Sequence, residues 1–399
     1  MTNSLQKQTL ESAVSALRAN PLFRMSLGGK ELFHSNLWEW LFDDRFEMPN
    51  FRAFFGIPVG SSVRVLREKS NLDLLISWTG VDRKTGCLVL ENKVKSLPDA
   101  KQLKRYAEKP TSEFRNELRC PKDAELSPVR FAVIAPELLL RECADKIEAG
   151  SANEKGRKWD TLSYEDLARA IEADCRKVED RFLRELLRRY VDFLDRLHDV
   201  FDSIQIDDDS PFFPPEETIK QLREIRLHDV YEKAWFAILK NRMKPLLKPC
   251  PTTDELYEIA YTNTGARLDY AFTRDPEPSP EKNIFVLQLQ RGKLCIGANP
   301  VPEGREKAFN AKIEEIFRRL DGEKAPSRLR FGEPVVHEKK NKDGKTLLMH
   351  HFGNFRYRYV RLAGASFRTV LEKANLALAE MEDFKEDVLD FLEGKGLKK

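Results

Sequence analysis

The spacing of apolar residues in the first half of the chain alternates between the helix period and the strand period. Leu10, Val14 and Leu17 recur every three or four residues, which places them on one helix face. Ser163 stands three residues before Asp166, a variant of the capping box that begins a helix. The predicted helices span 1–20, 31–42, 99–109, 163–174 and 178–200. The predicted strands span 62–68, 71–79, 87–94 and 129–136, so this half is expected to be mixed α/β.

The second half has a different pattern, because short apolar segments separated by turn residues predict antiparallel strands. These predicted strands span 257–262, 267–273, 284–290 and 293–297. One or two more strands are expected within 346–362, and helices over 312–320 and 366–392. The pattern predicts an α+β region that differs in architecture from the first half.

An acidic, proline-rich segment separates the two halves. Residues 204–217 have the sequence IQIDDDSPFFPPEE, which is typical of a domain boundary or a crossover. A chain of 399 residues is long enough for two domains. We therefore predict an N-terminal domain over 1–203, a linker over 204–217 and a C-terminal α+β domain over 218–399.

Composition excludes several classes of protein. No apolar run approaches the roughly 20 residues that a membrane helix needs, and the polar first segment is unlike a signal peptide. The six cysteines are scattered without a Cys-x-x-Cys pair, which argues against a disulfide framework or a structural zinc site. We expect a cytoplasmic protein that does not bind membranes. The net charge of +3 is too even to indicate nucleic-acid binding by itself.

Two acidic residues and a lysine stand where the two strands of a predicted hairpin meet. Asp73 lies early in the first strand, and Glu91 and Lys93 lie late in the second. A hairpin places the start of one strand beside the end of the next, and side chains two apart share a face. These three side chains are therefore expected to converge while Asn92 points away. Two carboxylates suit Mg²⁺, and a nearby lysine can orient or help deprotonate a metal-bound water.

The position of this Glu-x-Lys triplet distinguishes it from a chance occurrence of the same three-residue pattern. Two other copies occur in the chain, but neither ends an apolar strand and neither follows a strand that carries an aspartate. A simpler interpretation is an edge salt bridge between Glu91 and a neighbouring lysine or arginine. The spacing alone leaves both interpretations open.

The helix after the hairpin carries Gln102 and Tyr106, which are four residues apart and share one face. A glutamine amide and a tyrosine hydroxyl beside a metal site can bind a phosphate or position a water. Ordinary helix-surface residues are the alternative interpretation.

The helix before the hairpin carries a second set of polar residues on one face. These residues are Glu31, His34 and Ser35, which share the face of Trp38. Buried polar groups need partners, and the cluster of carboxylates and lysine can supply them. A solvated helix face is the alternative interpretation.

The order of these features resembles the PD-(D/E)XK nuclease superfamily. The stretches LENKVKS and QLKRY resemble its branch with a RecB-type Gln-x-x-x-Tyr helix. KELFHSNLWEWLF, the segment LSYEDL and the strand VRFAVIAP resemble a bacterial subfamily. The resemblance covers about residues 25–175 and implies an α/β, restriction-endonuclease-like core with a mixed central sheet flanked by helices. Leu72 stands where the motif name has a proline.

The resemblance implies roles for individual residues. The candidate catalytic residues are Asp73, Glu91, Lys93 and Glu31. The candidate metal-binding residues are Asp73, Glu91 and Asn92. The candidate substrate-binding residues are Gln102, Tyr106, His34 and Ser35. The implied cofactor is Mg²⁺, with Mn²⁺ as a substitute.

The implied activity is hydrolysis of phosphodiester bonds, with DNA the expected substrate because most of the superfamily acts on DNA. Defence against foreign DNA, such as phage DNA, and DNA repair are the expected settings. The C-terminal domain is expected to serve substrate selection, partner binding or self-association as a homo-oligomer. The alternative is a binding or regulatory module that retains the nuclease fold without cutting.

One further motif leaves two interpretations open. The strand FRYRYVRL alternates, with Phe355, Tyr357 and Tyr359 on one face and Arg356 and Arg358 on the other. Such a strand can bind nucleic acid through phosphates and base stacking. A half-buried strand with its aromatic rings inward and its arginines outward is the more common arrangement.

Overall fold

The computed structural model describes most of the chain. The described residues are 2–27, 30–43, 45–69, 71–80, 84–94, 96–118, 128–248, 256–262, 265–274, 283–290, 292–301, 305–321, 350–352, 354–362 and 364–395. The chain forms two compact units, one of residues 1–204 and 217–234 and the other of residues 205–216 and 235–399. The functional division at 204–217 expected from the sequence stays a prediction.

The helices and strands include the predicted ones, together with several short helices and one strand that the sequence pattern did not predict. The helices are α1 (Thr2–Ala19), α2 (Pro21–Ser26), α3 (Lys30–Leu41), α4 (Pro49–Phe54), α5 (Ala100–Ala107), α6 (Thr111–Leu118), α7 (Glu137–Glu142), α8 (Ala144–Ser151), α9 (Tyr164–Cys175), α10 (Arg181–Asp202), α11 (Glu216–Glu224), α12 (His228–Met243), α13 (Glu306–Leu320) and α14 (Phe367–Leu392). The strands are β1 (Ser62–Lys69), β2 (Leu72–Thr79), β3 (Thr85–Asn92), β4 (Arg130–Ala135), β5 (Trp159–Ser163), β6 (Leu256–Thr262), β7 (Gly265–Phe272), β8 (Ile284–Gln290), β9 (Lys293–Asn299), β10 (His350–Phe352) and β11 (Phe355–Arg361).

The first unit is built on a mixed sheet in the order β1-β2-β3-β4-β5. β1, β2 and β3 are antiparallel neighbours, whereas β3, β4 and β5 are parallel. β3 lies at the centre of this sheet, between β2 and β4, and every residue of β3 is buried. The predicted fold class is confirmed: a mixed sheet flanked by helices is followed by a second, antiparallel sheet and a C-terminal helix.

Helix α5 begins shortly after β3, and local chemistry fixes where it starts. Asp99 is its N-cap and accepts a hydrogen bond of 2.7 Å from the main-chain N–H of Gln102. The helix packs closely on α8, since a Cβ added to Gly150 would lie 2.5 Å from Leu103 Cβ. These contacts place α5 beside the end of β3.

The predicted start of α9 is confirmed. Ser163 is the N-cap, and its hydroxyl accepts a hydrogen bond of 3.0 Å from the main-chain N–H of Asp166. Strand β5, which ends at this cap, is absent from the sequence prediction. It has five residues, of which only Trp159 and Ser163 are buried, so its apolar pattern is too short to reveal a strand.

The second unit contains an antiparallel sheet in the order β10-β11-β9-β8-β7-β6. Contrary to the common arrangement expected for FRYRYVRL, the arginines of β11 lie against α13. Arg358 is buried, donates to Asn310 Oδ1 at 2.8 Å and forms an ion pair with Glu314. The expected strand residues 346–349 lie outside the described part of the chain.

The structure also bears on two expectations from composition, one about membrane helices and one about the cysteines. Within the described residues, no helix is long and apolar enough to cross a membrane. Cys87, Cys143, Cys175 and Cys295 are buried and form no disulfide bond within the described residues, while Cys120 and Cys250 lie outside them.

Candidate active site

The start of β2 and the end of β3 bring the predicted residues together. Leu74 lies opposite Leu90 in the antiparallel register, so the residues just beyond this pair meet at the same end of the sheet. The main-chain N–H of Asn92 donates to Asp73 Oδ2 at 2.7 Å. This bond fixes the Asp73 carboxylate beside the strand that carries Glu91.

Glu91, Lys93 and Gln102 form a compact buried group. Lys93 Nζ lies 2.7 Å from Glu91 Oε1 and donates to Gln102 Oε1 at 3.0 Å. Gln102 Nε2 donates to the same Glu91 oxygen at 2.8 Å. Glu91 is 2% exposed, and its other oxygen, Oε2, has no hydrogen-bond partner among the described residues.

Tyr106 extends this group toward the turn before β2. Its hydroxyl accepts from Gln102 Nε2 at 3.0 Å and donates to the main-chain oxygen of Asn71 at 2.6 Å. Asn71 has a φ of 63°, a left-handed conformation that asparagine tolerates better than most residues. The helix-face prediction for Gln102 and Tyr106 is therefore matched by direct contacts around the Glu91 carboxylate.

Glu31, in the first turn of α3, adds a third negative charge near this group. Its Oε1 accepts a hydrogen bond of 3.1 Å from Ser96 Oγ. Its charge acts on Asp73, Glu91 and Lys93. Glu31, Asp73 and Gln102 are partly exposed, whereas Glu91 and Lys93 are buried.

Burial and mutual charge shift the titration of this group. The pKa of Asp73 is raised to about 7, first by burial and then by the negative charge of Glu91. Burial also raises the pKa of Glu91, although Lys93 opposes the shift. Burial by itself lowers the pKa of Lys93, but the charge and hydrogen bond of Glu91, with Asp73 and Glu31, outweigh it and leave the pKa raised. Lys93 is therefore a cation at neutral pH.

Two predicted substrate-binding residues lie in the core. His34 is fully buried, its Nδ1 lies 2.7 Å from the Tyr190 hydroxyl, and its ring packs on Tyr164 and Phe193. Ser35 is buried, and its hydroxyl donates to the main-chain oxygen of Glu31 within α3. Their contact with substrate stays a prediction, and their burial favours a positioning role.

The Asn92 side chain is also occupied away from the carboxylates. Its Nδ2 donates to the Glu31 main-chain oxygen at 3.1 Å, and its Oδ1 accepts from the Tyr164 hydroxyl. A metal-binding role for Asn92 would therefore fall to its main-chain carbonyl. Sequence reasoning missed Tyr164 and Ser96, because neither has a spacing that relates it to the carboxylates.

The donor set fits a hard divalent cation. No group of three or more histidine, cysteine, aspartate or glutamate side chains is placed to bind a metal in the part of the chain that the structure describes. Mg²⁺ needs only one or two carboxylates when waters and a substrate phosphate complete its octahedron. Glu91 Oε2, which has no hydrogen-bond partner in the described part of the chain, and the nearby Asp73 carboxyl provide such a pair of ligands.

A cavity of about 670 Å³ lies elsewhere in the first unit, lined by residues of α7, α8, β5 and α9. None of the candidate site residues lines it. The candidate active site and this cavity are therefore separate features. We assign the active site from the chemistry of its side chains and not from the cavity.

Comparison with known proteins agrees with this geometry. Residues 59–192 match the sequence model of a family described as the PD-(D/E)XK nuclease superfamily. This region belongs to that superfamily, as the resemblance predicted, and it contains Asp73, Glu91 and Lys93 but not Glu31. The relationship to the branch with a RecB-type helix stays a prediction. The chain matches none of the curated proteins and none of the solved structures with which it was compared.

Proposed function

We propose that this protein is a Mg²⁺-dependent nuclease that hydrolyses phosphodiester bonds of DNA, with Mn²⁺ able to replace Mg²⁺. Membership of the superfamily supports a nuclease-type activity. One observation carries the proposal for this chain. The Asp73 and Glu91 carboxyls lie at one end of the sheet with Lys93, and one buried Glu91 oxygen has no hydrogen-bond partner among the residues that the structure describes.

In the proposed mechanism, the Asp73 and Glu91 carboxylates would hold the divalent ion. That ion would supply Lewis-acid chemistry to the scissile phosphate and to an attacking water. Lys93 is protonated, so it would donate a hydrogen bond to a phosphate oxygen and neutralise charge that develops there. Gln102, which holds Lys93 and Glu91 together, would keep both groups in line.

A cleavage panel tests this function. Plasmid DNA, single-stranded DNA and RNA are each incubated with Mg²⁺, Mn²⁺ or EDTA, using wild type, Asp73→Asn, Glu91→Gln and Lys93→Ala. We expect metal-dependent cleavage of DNA by wild type and a loss of at least about 100-fold in each variant, as removal of an electrostatic group commonly gives. Asp160→Asn, at an exposed acid of β5, is the matched control and should retain wild-type rates.

Wild-type cleavage by Asp73→Asn or Glu91→Gln would disprove the assignment. DNA binding without cleavage under every metal condition would instead favour the alternative, a non-cleaving module with the nuclease fold. The balanced charge of 68 basic against 65 acidic residues gives that alternative its support.

We further propose that the protein acts in the cytoplasm, in defence against foreign DNA or in DNA repair, and that the second unit selects substrate, binds a partner or mediates homo-oligomerisation. Phage plating and DNA-damage survival would be compared in cells that express wild type or Asp73→Asn. Protection that requires Asp73 supports the setting in which it is seen, and equal survival of both strains in both assays excludes these settings.

A further inference from the structure

Asn92 joins three segments of the candidate site. It is completely buried between Glu91 and Lys93 in the sequence. Its main-chain N–H binds Asp73 in β2, and its side-chain Nδ2 binds the main-chain oxygen of Glu31 in α3. Its side-chain Oδ1 accepts a hydrogen bond from the hydroxyl of Tyr164, the first residue of α9.

Tyr164 is well suited to act as a fixed donor. It is 1% exposed, and its ring packs on His34 and Trp38 at centroid distances of 5.2 and 6.2 Å. The aromatic contacts restrict the ring, and the hydroxyl is thereby directed at one end of the Asn92 amide.

The two ends of an asparagine amide have similar shapes but opposite hydrogen-bonding roles. The Glu31 main-chain oxygen can only accept, so it needs the NH₂ end of Asn92. The Tyr164 hydroxyl donates to the opposite end and therefore selects this orientation of the amide. Without that donor, a rotated amide would place two oxygens against each other and break the link between β3 and α3.

We propose that Tyr164 is a positioning residue of the active site: it orients the Asn92 amide, which fixes the start of α3, and so Glu31, against the end of β3. This inference rests on the proposed function, because its consequence is the placement of Glu31 and of the candidate metal ligand Asn92 in the active site. Tyr164 itself lies behind Asn92 and is not a catalytic residue.

Tyr164→Phe removes only the hydroxyl and retains the ring packing. We expect kcat to fall about 10- to 100-fold, the usual effect of losing a partner that orients a metal ligand, with the KM for DNA changed less than threefold. Tyr231→Phe is the matched control, because it removes another buried hydroxyl of the first unit, one that binds Ser203 instead. Its kinetics should equal those of wild type.

A second variant tests whether the effect passes through Asn92. Asn92→Ala deletes the amide but keeps the main-chain N–H that binds Asp73. If Tyr164 acts through this amide, the double variant should be no worse than Asn92→Ala alone. Independent, multiplicative losses would show that Tyr164 acts by another route and would overturn the inference.

Metal binding without DNA gives a readout that does not depend on turnover. Calorimetric titration with Mn²⁺ should show an affinity several-fold weaker in Tyr164→Phe than in wild type or Tyr231→Phe. Thermal melting confirms which variants are folded, and Asn92→Ala takes the place of Tyr164→Phe if the latter is not. If wild type cleaves DNA and binds Mn²⁺, and Tyr164→Phe and Asn92→Ala do both equally well, this inference alone is refuted. Wild type that does neither refutes the proposed function, and this inference with it.

Discussion

At the scale of single residues, the candidate site holds charge that burial disfavours. Asp73 and Glu91 lie close together with Glu31 nearby, and Lys93 is the cation hydrogen-bonded to Glu91. Two neighbouring carboxyls that resist ionisation are a common feature of functional sites. A divalent ion would relieve the repulsion between the carboxyls. Without the ion, the repulsion grows as the carboxyls ionise, so the stability of the metal-free protein should depend on pH.

The raised pKa of Asp73 predicts how stability changes with pH when metal is removed. The folded value is about 7 against an ordinary value of 3.8, so between these values the folded state binds more protons than the unfolded state. Stability from this group is therefore greatest below about pH 4 and is lost as the pH rises through 7. Asp73→Asn, which cannot ionise, should be more stable than wild type at pH 8 in EDTA, by about 1–3 kcal/mol.

Urea denaturation at pH 5 and pH 8 measures this difference. The control is Asp160→Asn, an exposed acid whose removal should leave stability within about 0.5 kcal/mol at both values. If Asp73→Asn loses as much stability as wild type between pH 5 and pH 8, Asp73 is not the group responsible. Added Mg²⁺ should stabilise wild type at pH 8 and leave the variant unchanged.

At the scale of elements, the contact between α5 and α8 decides where Gln102 and Tyr106 lie. Gly150 lets Leu103 approach, because any Cβ there would meet Leu103 Cβ at 2.5 Å. Leu103 follows Gln102 directly in α5. Helix α5 carries Gln102, which binds Lys93 and Glu91. The position of α5 therefore depends on the absence of a side chain at Gly150 of α8.

Gly150→Ala gives a prediction in which two effects have opposite signs. Helix propensity alone would stabilise the protein by about 1 kcal/mol, whereas the clash with Leu103 should destabilise it by about 1–3 kcal/mol. We expect the clash to win, with a lower melting temperature and slower cleavage. At the exposed neighbour Ala149, substitution to glycine should show the propensity effect alone, a loss of up to about 1 kcal/mol without a change in kcat. A stabilised Gly150→Ala protein would contradict the close packing.

Sequence reasoning succeeded for elements with a strong local pattern. Strands β2, β3 and β4, and helices α3, α5 and α9, follow from apolar periodicity and from the caps Asp99 and Ser163. Strand β5 and the orientation of β11 do not. In β11 the alternation shows two faces but not which one is covered, and the structure places α13 on the arginine face.

At the scale of the whole molecule, the chain consists of two compact units, each with its own sheet. The buried Arg358 belongs to the second unit, where it binds Asn310 and Glu314 of α13. The carboxyls and Lys93 belong to the first. A substitution that destabilises the sheet of the second unit need not change the active-site residues held by the sheet of the first.

Arg358→Met tests this separation. Loss of a charged hydrogen bond at a buried position should destabilise the second unit by about 2 kcal/mol and lower the melting transition of that unit. The Mn²⁺ affinity should not change, because every candidate metal-binding residue lies in the first unit. Arg361→Met, at an exposed position of the same strand, is the control. A change in Mn²⁺ affinity in Arg358→Met would show that the units are coupled.

The sequence by itself determined strands β2, β3 and β4, the residue types at the ends of β2 and β3, and the resemblance to the superfamily. These features depend on local periodicity and on spacings of a few residues, which a chain carries in one dimension. For that reason the sequence alone was enough to select five candidate site residues: Asp73, Glu91, Lys93, Gln102 and Tyr106.

Only the tertiary structure decided which distant groups surround them. The Tyr164 hydroxyl reaches Asn92 across 72 positions of sequence, and Ser96 reaches Glu31 across 65. His34 carries its polar ring into an aromatic core instead of facing the carboxyls. Burial and the charges of two other segments, the end of β3 and the start of α3, set the pKa of Asp73, so no local pattern could have predicted its shift.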